Sequence, residues 1–319
     1  MTGFSPRIPD GPIPAELAVR LAAFQYLGHL TRLHGEALPY HALIQGFTLD
    51  GRRVPLMGPQ GIFKPQILEF PLSITTAAPS PRRPRPYDDG VEDSGLVRYR
   101  YRGEDLYHRD NVGLREAMQR RLPLVYFHGL VKAKYQAIWP VVIVADDPGS
   151  LSFLVSPEDN VHVLGCLATG ELPPSDPGDE LRRRYAAREV KQRLHQEAFR
   201  IRVLHAYRDR CTICSLRHPE LLDAAHIIAD SQDHGEPRVP NGLSMCKLHH
   251  AAFDRNIMGI SPDYVVEIRQ DILDEVDGPM LRHGLQDVHG QALQLPSRRI
   301  WYPDKDLVDE RYQAFKSAV

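Results

Sequence analysis

The chain has no apolar run long enough to cross a bilayer, and its first residues, MTGFSPRIPDGPIPAE, lack the apolar stretch of a secretion signal. A membrane protein is therefore excluded and a cytoplasmic one expected. A net excess of charge of either sign is also missing: 39 basic against 41 acidic residues leave a net −2, so any site for a polyanion must come from local charge. No internal repeat or low-complexity tract is visible. Cysteine is scarce, with four in 319 residues. Cys211, Cys214 and Cys246 share one segment and Cys166 stands apart, as a buried structural thiol would. In a reducing compartment such clustering favours a metal over a disulfide. The remainder is ordinary for a soluble globular protein, 42% hydrophobic and 25% charged, and long enough for two domains.

AELAVRLAAFQYLGHLTRLHG, Ala15 to Gly35, repeats apolar residues at helical spacing and ends in glycine, so residues 1–53 read as a helical segment. From Val54 to about residue 172 the texture changes to short β-type runs broken by Pro, Gly and Asp: PLSITT, LVRYRYRG, PLVYFHGL, WPVVIVADDP and LSFLV. A curved or barrel-like sheet is expected there, interrupted by the helix NVGLREAMQRR. ELPPSDPGDE then marks a boundary. A basic helix follows, from Glu180 to about Arg208, and makes up most of a linker spanning 173–206. Between Arg182 and Arg210 ten basic residues face three acids. Such a run is either a solvated helix face or a track for phosphates. Residues 207–319 form the last domain, its end after Ser261 reading as strands and a tail.

Cys211-Thr-Ile-Cys214 and Cys246-Lys-Leu-His249 are two ligand pairs, each with two residues between. One turn can supply two ligands at that spacing, and together the pairs make a Cys₃His set for structural Zn²⁺. His250, directly after His249, points about 100° away on a helix and cannot easily serve the same ion.

Between the pairs lie LLDAAHII and PNGLSMC. The order Cys-x-x-Cys, an acid-bearing strand ending in His-Ile, Asn-Gly-Leu, then Cys-x-x-His-His resembles the HNH, or ββα-metal, nuclease family over Tyr207 to Ser261. The resemblance implies a two-stranded hairpin followed by a helix, with a catalytic divalent cation, Mg²⁺ or Mn²⁺, between them. On the matching positions His226 is the general base, a task suited to a pKa near neutrality. Asn241 fixes the intervening loop and His250 holds the cation. Where many members carry an acid or histidine before the base, this chain has Ala225. Asp223, three residues before His226, is then the expected second cation ligand, with Asp254 a further candidate or a support for His250.

The central region is similar in layout to SRA domains of the PUA-like superfamily, through YDDGVEDSGLVRYRYRGEDL and NVGLREAMQRRLPLVYFHGL. Those domains flip a modified cytosine out of the duplex. The resemblance implies that Tyr87, Asp88, Asp89, Tyr99 and Tyr101 read the base, by aromatic stacking and by a carboxylate, Asp88 or Asp89, on the exocyclic amine. Alternatively Tyr99 and Tyr101 form one face of an ordinary sheet, with Arg98, Arg100 and Arg102 on the other, where they could contact phosphates.

The expectation is an α+β protein: a curved SRA/PUA-like sheet domain followed by a zinc-containing HNH domain. It would act as a modification-dependent endonuclease on double-stranded DNA carrying modified cytosine. A homodimer would let two sites cut both strands. A modification-independent nicking or structure-dependent nuclease and a non-catalytic zinc-dependent DNA-binding protein remain open alternatives.

Overall fold

Apolar residues at three- and four-residue spacing make Ala15–His34 a helix, and Gly35, at φ +73°, ends it. The computed structural model describes residues 4–9, 13–78, 96–172 and 194–318. Two units form, Met1–Leu194 and His195–Val319. Among the described residues no helix is long and apolar enough to cross a membrane.

All five β-type runs enter one curled, seven-stranded sheet in the first unit. Its order is Ile62–Phe63, Ser73–Thr76, Leu124–Val131, Lys134–Asp147, Ser152–Pro157 and Val97–Arg100. Ala37–Pro39 adds to the long Lys134–Asp147 strand, so the N-terminal segment contributes a strand as well as helices. Only the Ser73–Thr76 pairing with Leu124–Val131 is parallel among the described pairs of this sheet. Side chains alternate across a strand. Val125 and Phe127 therefore pack with the Ala15–His34 helix in one core, while Leu124 and Tyr126 join Leu114, on the Arg109–Gln119 helix, in another. Burial of both faces explains why PLVYFHGL is almost continuously apolar. Arg20 is buried in the first core, where it donates to the carbonyls of Pro71 (3.0 Å) and Pro123 (2.8 Å) and pairs with Glu16. It ties the helix to the starts of two strands.

Residues 194–206 are helical, and the second unit begins at His195 within this helix. The part of the expected basic helix before 194 lies outside the described residues. Arg208 and Asp209, at φ +57° and +52°, turn the chain out of this helix into the first cysteine pair. Leu222–His226 then pairs antiparallel with Gly242–Cys246, and the helix Lys247–Asp254 follows at once. After Ser261 the expectation of strands holds for Val266–Ile268, and the expectation of a tail is corrected. A hairpin, Met258–Ile260 with Val266–Ile268, leads to short helices and a 13-residue helix, Lys305–Ser317. Asp304 caps that helix by accepting from the Asp306 amide, and Leu307, Val308 and Phe315 bury its inner face. Phe315 lies where a Cβ on Gly259 would come within 2.3 Å of its ring, so glycine there allows the helix to seat.

Candidate active site

Cys211, Cys214, Cys246 and His249 converge, with one ligand atom from each within 4.8 Å of all the others. A tetrahedral zinc ion, with bonds of about 2.3 Å to sulfur and about 2.0 Å to nitrogen, sets S···S near ~3.8 Å and S···N near ~3.5 Å. Here Cys214 and Cys246 Sγ are 4.0 Å apart, and His249 Nδ1 lies 3.4 Å from Cys211 Sγ and 3.1 Å from Cys246 Sγ. His249 Nε2 donates to the Gly284 carbonyl at 2.8 Å, which in the neutral ring leaves Nδ1 as the nitrogen free to ligate an ion. The site also attracts positive charge. Burial opposes it, yet the Cys211 and Cys246 thiols push the His249 pKa up to about 10. Hydrogen bonds from Cys214 and Cys246 drive the Cys211 thiol far below the usual range. Donor set, spacing and electrostatics all fit structural zinc.

The opening of the hairpin lies a few residues from this cluster. Because His226 ends one strand opposite Gly242, which starts the other, its ring is held at the hairpin mouth. Phe199, from the 194–206 helix, lies flat against it, ring centroids 3.9 Å apart and planes 15° from parallel. This approach needs a residue without a side chain at 242, since a Cβ there would sit 2.4 Å from Val203 Cγ2 and 2.8 Å from Phe199 Cζ. Burial is the main cause that lowers the His226 pKa. Asp230 and Asp254 pull it back up, and His250 pushes it further down. The net effect favours the neutral ring.

Asn241 is fully buried and closes the loop after His226. Its Oδ1 accepts from the Ile228 amide at 2.9 Å, and its Nδ2 donates to the carbonyls of Ile228 at 3.0 Å and Glu236 at 3.1 Å. It braces backbone and does not line the cleft beside His226.

His250 sits between two carboxylates, with Asp223 Oδ2 3.4 Å from Nδ1 and Asp254 Oδ2 3.3 Å from Nε2. His226, His250 and Asp254 line one cleft of about 610 Å³, together with Asp230, Glu310 and Arg311. His249 and His250 thus serve different places, as their 100° separation requires. Asp223 is brought to His250 but does not line the cleft. Strand alternation is the reason: positions 223 and 226 are an odd number apart and point to opposite faces. Both Asp223 oxygens lie 2.7 Å from Lys247 Nζ. Burial raises the Asp223 pKa, but Lys247 and His250 outweigh it and hold the carboxyl below its ordinary range.

These distances sort the possible cation ligands. Adjacent corners of an octahedron with bonds of about 2.1 Å are about 3.0 Å apart. His250 Nε2 and Asp254 Oδ2, at 3.3 Å, meet that spacing and face the cleft.

Residues 211–261 match the HNH_2 family, described as HNH endonuclease. The chain is a metal-dependent nuclease. No curated protein matches it. Among solved structures it is similar to one titled "Modification dependent TagI restriction endonuclease", at 16% identity over 76% of this chain and 80% of that one, with a TM-score of 0.28. A second, the "Type IV phosphorothioation-dependent restriction endonuclease ScoMcrA", shares 14% identity over 56% and 52% of the two chains, with a TM-score of 0.21. Scores this low do not establish a common fold over those lengths.

Two neighbours of the His226–His250 cleft lie outside the matched stretch and have no signal in the sequence. Phe199 stacks on His226 from upstream. Arg311, from the C-terminal helix, lines the cleft, donates to Asn256 Oδ1 at 2.6 Å and to the Phe253 carbonyl at 2.5 Å, and stacks over the Phe253 ring. No short-range spacing signals either residue.

The expected base-reading residues fare differently. Tyr87, Asp88 and Asp89 lie outside the described residues. Tyr99 and Tyr101 are 5% and 3% exposed in the sheet core. Tyr101 packs on Phe153 at 4.6 Å, and its hydroxyl bonds Asp146 and accepts from Arg115 at 3.2 Å. In this arrangement neither ring offers a free face to a base. Of the three arginines on this stretch, Arg98 is 3.8 Å from Asp147 and Arg102 pairs with Asp110.

Proposed function

We propose that this chain is a DNA endonuclease that hydrolyses phosphodiesters at the His226–His250 cleft, with target choice made by the N-terminal unit. The observation that carries the reading is a half-buried histidine sharing one cleft with a histidine–carboxylate pair at cation-ligand spacing. His226 takes a proton from the attacking water. His250, through Nε2, and Asp254 would hold Mg²⁺ or Mn²⁺, and Asp223 accepts from Nδ1–H to fix the tautomer and ring. A divalent cation there supplies positive charge to the phosphate and the leaving 3′ oxygen. Asn241 shapes the loop that carries the base, and zinc on Cys211, Cys214, Cys246 and His249 fastens the hairpin to the helix. A homodimer provides the second site for a double-strand cut.

The finer reading is modification dependence, with an SRA/PUA-like N-terminal unit that selects modified cytosine. The layout similarity and the curled sheet support it. The burial of Tyr99 and Tyr101 favours the alternative, an HNH nuclease indifferent to modification. Matched plasmids from methylating and non-methylating hosts, digested with Mg²⁺ and Mn²⁺ in parallel, separate the two. Preferential cutting of the methylated plasmid is expected, and equal cutting removes the modified-cytosine reader. Loss of cutting in His226→Ala with zinc retained is the check on the site itself, since general-base removal costs about 10²–10⁴-fold in rate.

A further inference from the structure

A second cleft, of about 720 Å³, lies wholly within the N-terminal unit, far in sequence from the nuclease motif. It is walled by Arg52, Arg53 and Lys64, with Phe63, Ile67 and two prolines forming the apolar part. The two arginines come from a tight hairpin, Phe47–Leu49 with Arg52–Val54, turned by Asp50 and Gly51 at φ +48° and +74°. Phe63 and Lys64 stand at the end of the outermost strand of the large sheet. No carboxylate lines the cleft, and among the described residues none of the three cations forms an ion pair. Arg53 reaches only the Ile44 carbonyl, at 3.5 Å, and Lys64 the Leu68 carbonyl, at 3.0 Å.

Three exposed cations with no counter-charge repel one another, which is a standing cost unless an anion neutralises them. The chain as a whole carries −2, so this concentration is local. The volume is that of a site for a small molecule or a nucleotide-sized piece of polymer, and an apolar wall between cations suits a ligand that alternates phosphate charge with sugar and base surface. We propose that this cleft binds the phosphodiester backbone of DNA and is a contact by which the N-terminal unit holds the duplex while the other unit cuts. This rests on the reading of the chain as a DNA endonuclease. The contact positions DNA and does not by itself read sequence.

The test uses the full chain carrying His226→Ala, so that DNA is bound without being cut. Binding of a fluorescent duplex is measured by anisotropy across roughly 50–200 mM salt. Each phosphate contact contributes about 0.9 to the slope of log K against log salt. Arg52→Ala/Arg53→Ala/Lys64→Ala on the His226→Ala chain should therefore flatten the slope by about 2–3 and weaken binding at least tenfold at low salt. All three side chains are exposed, so the melting temperature and zinc content should not move. Lys132→Ala/Lys134→Ala, two exposed cations outside the cleft, should have much less effect. An unchanged slope in the triple variant, or an equal loss in the control, overturns the cleft as a DNA site and leaves the nuclease reading intact. If the unsubstituted chain neither binds nor cuts DNA, both fall together.

Discussion

Replacing Asp223 with alanine distinguishes a carboxylate that orients His250 from one that ligates the cation. In the structure its Oδ2 is 3.4 Å from His250 Nδ1, on the side of the ring away from Asp254. Removing a partner that fixes a metal-binding histidine costs about 10–100-fold in metal affinity, or roughly 1.4–2.7 kcal/mol. The cost to folding is smaller. Asp223 pairs with Lys247, whose side chain is 60% exposed, and such a pair contributes about 0–1 kcal/mol. The assay is plasmid nicking against Mg²⁺ concentration, with zinc content and melting temperature followed in parallel. Asp223→Ala should raise the half-saturating Mg²⁺ concentration about 10–100-fold, while the rate at saturating ion approaches that of the unsubstituted chain. Asp254→Ala, which removes a ligand, should not recover at any ion concentration. If Asp223→Ala also fails to recover, Asp223 is a ligand and the assignment from strand parity is wrong. If its half-saturation does not move, the Nδ1 contact has no bearing on the cation.

Three other outcomes follow from the same geometry. Stripping zinc, or Cys211→Ser, should unfold the C-terminal unit and abolish cutting even in excess Mg²⁺, because binding to such sites supplies about 10–16 kcal/mol; metal analysis and thermal melting decide it, and a folded, zinc-free chain would refute the structural role. Cleavage should fall as pH drops through a His226 pKa below the usual 6.5, since the base must be neutral and burial favours that form; the plateau should begin by about pH 7, and an acid limb centred above pH 7 contradicts the burial argument. Gly242→Ala should lower stability by about 1–3 kcal/mol through overpacking against Val203 and Phe199, and displace the ring that rests on His226; calorimetry and nicking rates should fall together, and an unchanged melting temperature would mean the contact is loose.

The nuclease site is the part most readable from residue order, and the reason is its short reach. Two cysteine pairs, His226, Asn241 and His250 all sit on one hairpin and one helix, so fixed spacing translates directly into fixed geometry. Asp254 is legible as an i+4 neighbour of His250, but that it rather than Asp223 lines the cleft takes knowledge of which face of the strand meets the cleft. Phe199 and Arg311 reach the site across 27 and 61 residues of chain from His226 and His250 respectively, and only tertiary packing brings them in. Tyr99 and Tyr101 show the converse. Alternation marks a strand, but both faces of this sheet are covered, so the face with tyrosines is core. The C-terminal helix was missed although Pro303-Asp304 signals its start, because its buried positions 307, 308 and 315 are too sparse for a helical stripe.

One consequence concerns the order in which the chain is made. The wall of the cutting cleft includes Arg311 and Ala314, which leave the ribosome long after the histidines they face. A nascent chain that has already folded its hairpin and captured its metals still lacks that wall. A cleft that hydrolyses phosphodiesters would therefore stay open on that side until translation has passed residue 314.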